Sequence, residues 1–144
     1  MSDEDAVVRL SDEECWEKLE SQVLGRLVTH VGEVIDIFPV NYVVDGRSIL
    51  FRTAEGSKLI ELTVNHAVLF EVDDHTDAEA WSVIVRGEAA RVESLSEREH
   101  ADTLGLAPWV PTLKYNYVRV TPGSVSGRAF QRTAEPERYG VSDY

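Results

Sequence analysis

Four side chains between residues 52 and 58 could together hold a phosphate group. A strand pattern ends in Arg52 and Thr53, a short turn follows, and Ser57 and Lys58 open a helical pattern. Because the first N–H groups of a helix are free to bind an anion, two cations and two hydroxyls at this point are typical of a phosphate site.

The same residues also fit a turn that binds nothing. Ser57 would cap a helix whether or not a phosphate is present. Lys58 favours the ligand, because a cation in the first turn of a helix opposes the helix dipole unless an anion lies nearby. We therefore interpret Arg52, Thr53, Ser57 and Lys58 as candidate phosphate ligands.

The composition bounds the class of protein and its partners. The chain has 144 residues, 43% of them hydrophobic, and a formal net charge of −12 from 26 acidic and 14 basic residues. We expect one domain over residues 1–144. Its acidity argues against nucleic acid and anionic membranes as partners, because both are polyanions. No secretion or membrane-span pattern is present, so we expect a cytoplasmic protein.

The sequence predicts no metal site. The single Cys15 excludes an internal disulfide and a multi-cysteine centre, and the four histidines share no metal-ligand spacing. No proton-transfer constellation is recognisable either, so catalytic residues are not assigned.

Turn and strand patterns predict a mainly β chain around the candidate turn. A capping box at Ser11 and Glu14 begins a helix, and Gly32-Glu33 and Asp45-Gly46 predict hairpins, the latter with a type I′ turn. Residues 1–10 are expected to be a flexible lead-in and 131–144 a polar tail. The predicted helices cover residues 12–21, 57–65 and 96–104, and the predicted strands cover 25–31, 34–44, 47–53, 67–72, 81–92 and 115–120, with 125–130 as a last strand or a continuation.

These elements predict an antiparallel β-barrel with helices over its ends. Pro39 marks an edge, a bulge or a place where its strand leaves a partner, and Gly87 predicts a bulge. Because the strands are apolar on both faces, we expect the barrel interior to cover one face and a partner subunit to cover the other.

Three segments in this order resemble the pyridoxamine 5′-phosphate oxidase-like family, the FMN-binding split barrels. The segments are 38–44, FPVNYVV, 51–58, FRTAEGSK, and 81–87, WSVIVRG. The likeness extends from about Leu10 to Phe130, and the opening helix is similar to an actinobacterial-type subgroup. The resemblance implies a homodimer of six-stranded antiparallel split β-barrels with short flanking helices and two flavin sites at the interface.

The resemblance also implies which residues bind the cofactor. By position, Arg52, Thr53, Ser57 and Lys58 would hold the FMN phosphate. The residues that would lie along or approach the flavin ring, the last two often from the second subunit, are Val40, Asn41, Tyr42, Trp81 and Ser82. The alternatives for these are a hydrogen bond within the sheet for Asn41 and Tyr42, and a core or interface position for Trp81.

For function, we expect an FMN-binding oxidoreductase that acts by hydride transfer on a small-molecule substrate. Residues 38–44 lack the arginine and lysine of oxidase relatives, and residues 127–130, GRAF, replace their arginine–histidine substrate motif. These departures argue against pyridoxamine phosphate oxidation. A deazaflavin-dependent reductase and a non-catalytic flavin- or haem-binding module stay open as alternatives, because one fold hosts several functions.

Overall fold

A computed structural model of the chain describes residues 7–54, 66–106 and 115–132. The predicted helix over 57–65, with Ser57 and Lys58, lies outside the described residues, as does the tail beyond residue 132. The elements in chain order are β1 (Val7–Arg9), α1 (Asp12–Glu20), β2 (Leu24–Val31), β3 (Val34–Val44), β4 (Ile49–Ala54), β5 (His66–His75), β6 (Glu79–Arg91), α2 (Leu95–Asp102) and β7 (Tyr115–Gln131).

Six of the strands close into a ring. The antiparallel order is β1-β7-β4-β3-β2-β5-β6, and β6 pairs with β7 as well, so β2 to β7 form a six-stranded barrel. The predicted six-stranded antiparallel barrel is therefore confirmed. Strand β1 is an addition, paired with β7 from Val7↔Phe130 to Arg9↔Arg128. Residues 7–9 are thus not part of a loose lead-in, because a distant strand orders them.

Strand β7 connects both halves of the barrel. Its first part pairs with β4, up to Ile49↔Val120, and its longer second part pairs with β6. The two segments predicted for this region form one continuous strand. Arg86 pairs with Ser124 and Gly87 with Pro122, so the register shifts here and β7 carries one extra residue, Gly123. This shift lies at the bulge predicted for Gly87. A Cβ atom on Gly87 would lie 2.2 Å from the Thr121 carbonyl oxygen, so glycine is needed there.

The sequence predicts two features of β3, the turn that joins it to β4 and the special position of Pro39. Asp45 and Ser48 exchange backbone hydrogen bonds of 3.0 and 3.2 Å, so the second turn is centred on Gly46 and Arg47, one residue later than predicted. Gly46 has a φ of 61°, a conformation that glycine adopts without strain. Pro39 lies opposite Arg26 of β2, beyond the short β3–β4 pairing of Tyr42–Val44, and so occupies a place where β3 has left a partner.

The barrel interior is a single apolar core that α1 closes at one end. The Tyr42 hydroxyl donates to the Leu19 carbonyl oxygen at 2.5 Å, and the Tyr42 ring meets Phe70 edge-on at 4.9 Å between centroids. The predicted capping box at Ser11 and Glu14 is present at the start of α1. Other members of this core are Leu27, Phe51, Val72, Trp81, Val83, Val85 and Val118.

A second, smaller core lies between the barrel and α2. It contains Leu50, Val92, Ala101 and Tyr117. Strand β4 is therefore buried on both faces, Ile49 and Phe51 inward and Leu50 outward, which explains its uninterrupted apolar run. This second core lies directly beside the candidate site.

The bulge provides a test of the fold. Replacing Gly87→Ala forces a methyl group against a backbone carbonyl, which we expect to cost about 1–3 kcal/mol and to lower Tm by several degrees. Gly123→Ala is the matched control, because its Cβ would lie 3.6 Å from the nearest atom, the Arg86 carbonyl oxygen. Thermal unfolding by circular dichroism measures both variants, and equal Tm values would contradict the bulge geometry.

Candidate functional site

Strand β4 places its two candidate phosphate ligands on opposite faces. Successive side chains of a strand alternate. Thr53 lies on the inner face with Phe51 and is 7% exposed, whereas Arg52 lies on the outer face. Of this pair, only Arg52 therefore presents its side chain outside the barrel.

An aromatic ring holds the Arg52 guanidinium. Its central carbon lies 3.6 Å from the centroid of the Tyr115 ring, close enough for a strong cation–π contact. The Tyr115 and Tyr117 hydroxyls donate to one oxygen of Asp102 at 3.0 and 2.7 Å. Arg98 completes the group by donating to the Tyr115 carbonyl oxygen at 3.3 Å. These hydrogen bonds hold Tyr115 in place, and its ring in turn fixes the position of the Arg52 guanidinium.

The charges of this group favour an anion. The hydroxyls of Tyr117 and Tyr115 lower the pKa of Asp102, so its carboxylate is ionised at neutral pH. Burial and the nearby Asp102 raise the pKa of Tyr117, which therefore stays a neutral donor. The group therefore contains two positively charged guanidinium groups, those of Arg52 and Arg98, and one negatively charged carboxylate, that of Asp102.

Asn41 lies beside Arg52 on the same outer face. Because Tyr42 pairs with Phe51, Asn41 and Arg52 are the next residues outward on neighbouring strands. Val40 and Tyr42 point the other way, into the core, where burial raises the pKa of the Tyr42 hydroxyl. The hydrogen bond of Tyr42 goes to helix α1, so its side chain belongs to the core, and only the backbone of residues 40 and 42 borders the outer surface.

The remaining candidates lie elsewhere in the chain. Trp81 packs in the barrel core, with the Lys18 ammonium 5.5 Å from its ring centroid, which agrees with the alternative of a core position. Ser82 faces outward and lies opposite Arg128 of β7. Arg52 lies opposite Tyr117, eleven residues earlier on β7, or on the order of 35 Å of extended strand. Within one chain, Ser82 and Arg52 are therefore not neighbours.

The structure thus brings together Arg52 and Asn41 and adds Tyr115, Asp102 and Arg98, which sequence reasoning missed. The alternation of Tyr115 and Tyr117 does place both rings on one face. Their position beneath Arg52 becomes visible only once β4 is paired with β7.

An apolar surface covers the outer face of β2, β3 and β5. Ile35 and Ile37 are 69% and 60% exposed, and Leu69 is partly exposed. Two open cavities of about 500 and 410 Å³ share Val28 and Leu69 in their linings. A surface of this kind is typical of a protein–protein contact.

A carboxylate pair borders this apolar surface. Arg26 Nη1 lies 2.7 Å from both Glu71 Oε1 and Asp73 Oδ2. Burial and the neighbouring Asp73 raise the pKa of Glu71 to about 7, and Arg26 only partly offsets them. The pKa of Asp73 is lowered, so the two acids share one proton and one cation near neutral pH.

Comparison with known proteins agrees with this architecture. The sequence profile of the family described as pyridoxamine 5′-phosphate oxidase matches residues 11–129. The chain belongs to this family. An uncharacterized family relative from Mycobacterium tuberculosis is 46% identical over 95 residues, which are 66% of this chain and 86% of the relative.

Two solved structures show how closely the barrel is shared with other proteins. A Corynebacterium glutamicum protein, provisionally described as a pyridoxamine 5′-phosphate oxidase, is 47% identical with a TM-score of 0.81, covering 90% of this chain and 97% of that one. The FAD binding protein from Mycobacterium smegmatis is 46% identical with a TM-score of 0.78, covering 87% and 99%. Neither helix in the described ranges has the length and apolar character to cross a membrane.

The carboxylate pair gives a pH-dependent prediction. The pKa of Glu71 is raised from its ordinary 4.5 to about 7, so the folded protein holds more protons than the unfolded chain between these values. Its contribution to stability is therefore complete below pH 4.5 and is lost as the pH rises through 7. Since Glu71→Gln mimics the protonated form, we expect its Tm relative to the wild type to rise from pH 5 to pH 8.

Asp73→Asn is the matched control, because the depressed pKa of Asp73 gives a contribution that persists at high pH. This variant should lose stability at pH 8. Thermal unfolding across the pH range measures both, and a Glu71→Gln difference independent of pH would show that Glu71 titrates normally.

Proposed function

We propose that this chain is a flavin-dependent oxidoreductase that binds the flavin phosphate at the outer end of β4. The supporting observation is the position of Arg52, held at 3.6 Å over Tyr115 on the outer face. Ser57 and Lys58 follow Arg52 in the sequence after a short turn pattern. A cation fixed in this way, next to further phosphate-binding residue types, suits an anionic cofactor group.

The residues present fit a flavin in both charge and shape. The guanidinium of Arg52 offers a planar set of donors that matches two phosphate oxygens. Asn41 places an amide, which can donate and accept, beside that cation on the outer face of β3. When bound, a flavin supplies the hydride chemistry, and the protein orients it and excludes water.

The chain's own contribution is then positional and electrostatic. Arg52 neutralises the phosphate, and the Tyr115 ring prevents the guanidinium from turning away. Asp102 accepts a hydrogen bond of 3.0 Å from the Tyr115 hydroxyl. It thereby supports Arg52 indirectly, through the Tyr115 ring. The substrate we propose is a small molecule other than pyridoxamine phosphate, because the oxidase substrate motifs are absent from residues 38–44 and 127–130.

FMN is the flavin that we propose first, in a cytoplasmic protein. FAD contains the same riboflavin 5′-phosphate, and the Mycobacterium smegmatis relative is described as FAD binding. Parallel titrations with FMN, FAD and a deazaflavin coenzyme decide among these forms, since all three present a phosphate to the same residues.

Removing the cations tests the phosphate site. We expect Arg52→Ala combined with Lys58→Ala to weaken FMN binding by about 3 kcal/mol or more, over 100-fold, because each removes a charge-assisted hydrogen bond. Quenching of flavin fluorescence measures the affinity. Arg47→Ala is the control. Arg47 lies on the β3–β4 turn, and its guanidinium is already paired with Glu13 of α1 at 2.8 Å. Unchanged affinity in the double variant would remove the phosphate assignment.

We also propose that two copies associate through the apolar surface of β2, β3 and β5. The exposed Ile35 and Ile37 carry this proposal, since a monomer would leave them in water. The family resemblance implies the same kind of assembly, a homodimer with flavin sites at the interface.

Light scattering after gel filtration tests the dimer. The wild type should have twice the 16.1 kDa chain mass, and Ile37→Glu should be a monomer because it buries a charge in the contact. Leu95→Glu, a change at a 72% exposed position on α2, should remain a dimer. A monomeric wild type, or a dimeric Ile37→Glu variant, would contradict this interface.

A further inference from the structure

Three arginines line one groove on the outer face of β1, β7 and β6. They are Arg9, Arg86 and Arg128. The hydroxyl-bearing side chains of Ser82 and Ser126 also line the groove, which has a volume of about 460 Å³. This is a concentration of positive charge on a chain whose net charge is −12.

The strand register puts these groups on the same face. Arg9 lies directly opposite Arg128, and Arg128 lies opposite Ser82 on its other side. Arg86 Nη1 donates to Ser126 Oγ at 3.3 Å, which directs its guanidinium along the groove. Like charges that lie directly opposite each other on neighbouring strands destabilise a sheet, so this arrangement has a cost.

The protein does not offset that cost with its own acids. Elsewhere Arg26, Arg47 and Arg119 lie within 3.0 Å of a carboxylate oxygen. In residues 7–54, 66–106 and 115–132, no carboxylate forms an ion pair with any of the three groove arginines, although Asp12 lies in the groove lining. The groove therefore carries an excess of positive charge that a bound anion would neutralise.

We propose that this groove binds a small anion of the phosphate class, either a diphosphate or the phosphate group of an organic ester. Guanidinium groups match phosphate oxygens in pairs, and the serine hydroxyls supply additional neutral donors. The volume suits a diphosphate or a small phosphate ester. Nucleic acid is a poorer partner, because the overall acidity of the chain repels a long polyanion.

This site is separate from the flavin site within one chain. Arg128 and Tyr117, which lies opposite Arg52, are eleven residues apart on β7, on the order of 35 Å of extended strand. The two proposals can therefore fail independently of each other.

Isothermal titration calorimetry with inorganic pyrophosphate at low salt tests the proposal. The wild type should bind saturably, and Arg9→Gln combined with Arg128→Gln should weaken binding on the order of 10–100-fold. Arg47→Gln combined with Arg132→Gln is the matched control, since it changes net charge equally at other places and should stay within about threefold of wild type. Both double variants change exposed side chains, and circular dichroism confirms their folding.

The proposal would be overturned if the wild type showed no saturable binding of pyrophosphate. It would also be overturned if the control, Arg47→Gln combined with Arg132→Gln, lost as much affinity as the groove variant. Arg9→Lys combined with Arg128→Lys should retain most of the affinity, because it keeps both positive charges. Arg52→Ala should keep the pyrophosphate binding that the glutamine double variant loses, and the glutamine double variant should bind FMN like the wild type. If the glutamine variant loses FMN as well, the groove is part of the flavin site and no separate site exists.

Discussion

The pairing of β6 with β7 is the interaction on which the rest of the structure depends. It runs from Glu79↔Gln131 to Arg91↔Val118 and turns an open sheet into a closed barrel. Closure decides which side chains face the core and which face outward, because each strand has only two faces. At the register shift between Arg86 and Gly87, β7 carries one extra residue, and the β6–β7 ladder continues on both sides of it, beyond the last β4–β7 pair, Ile49↔Val120.

Because the barrel is closed around an apolar core, the charged groups that could bind a ligand lie on its outer surface. In the described residues, the interior is filled mainly with apolar side chains and also holds the rings of Tyr42 and Trp81. Positive charge is instead concentrated at two outer places on β7 and its neighbours, around Arg52 and around Arg128. Each place has a physical reason to hold an anion. At the first, an aromatic ring supports the Arg52 guanidinium. In the groove, the guanidinium groups face one another across strands and form no ion pair with a carboxylate of the described ranges.

Local patterns in the sequence were sufficient for most of the fold. The capping box at Ser11, the glycine turns and the Gly87 bulge all depend on short-range geometry, and the structure has each of them, one turn being displaced by a residue. The three-residue β1 could not be predicted, because its order comes entirely from pairing with the distant β7.

The candidate site was predicted less completely than the fold. Strand alternation alone would have separated Thr53 from Arg52, and the phosphate hypothesis grouped them by sequence distance instead. Tyr115 and Asp102 could not be found from the sequence, because they meet Arg52 only through the β4–β7 pairing and the packing of α2. Long-range contacts determine which polar residues share a surface, and local patterns do not contain them.

The visible absorption spectrum of the protein after incubation with FMN and gel filtration tests the central claim most directly. The account predicts that flavin bands elute with the protein at about one flavin per chain, with shifted maxima because the ring has left water. A colourless protein fraction, with all flavin recovered in the small-molecule volume for both FMN and FAD, would contradict it.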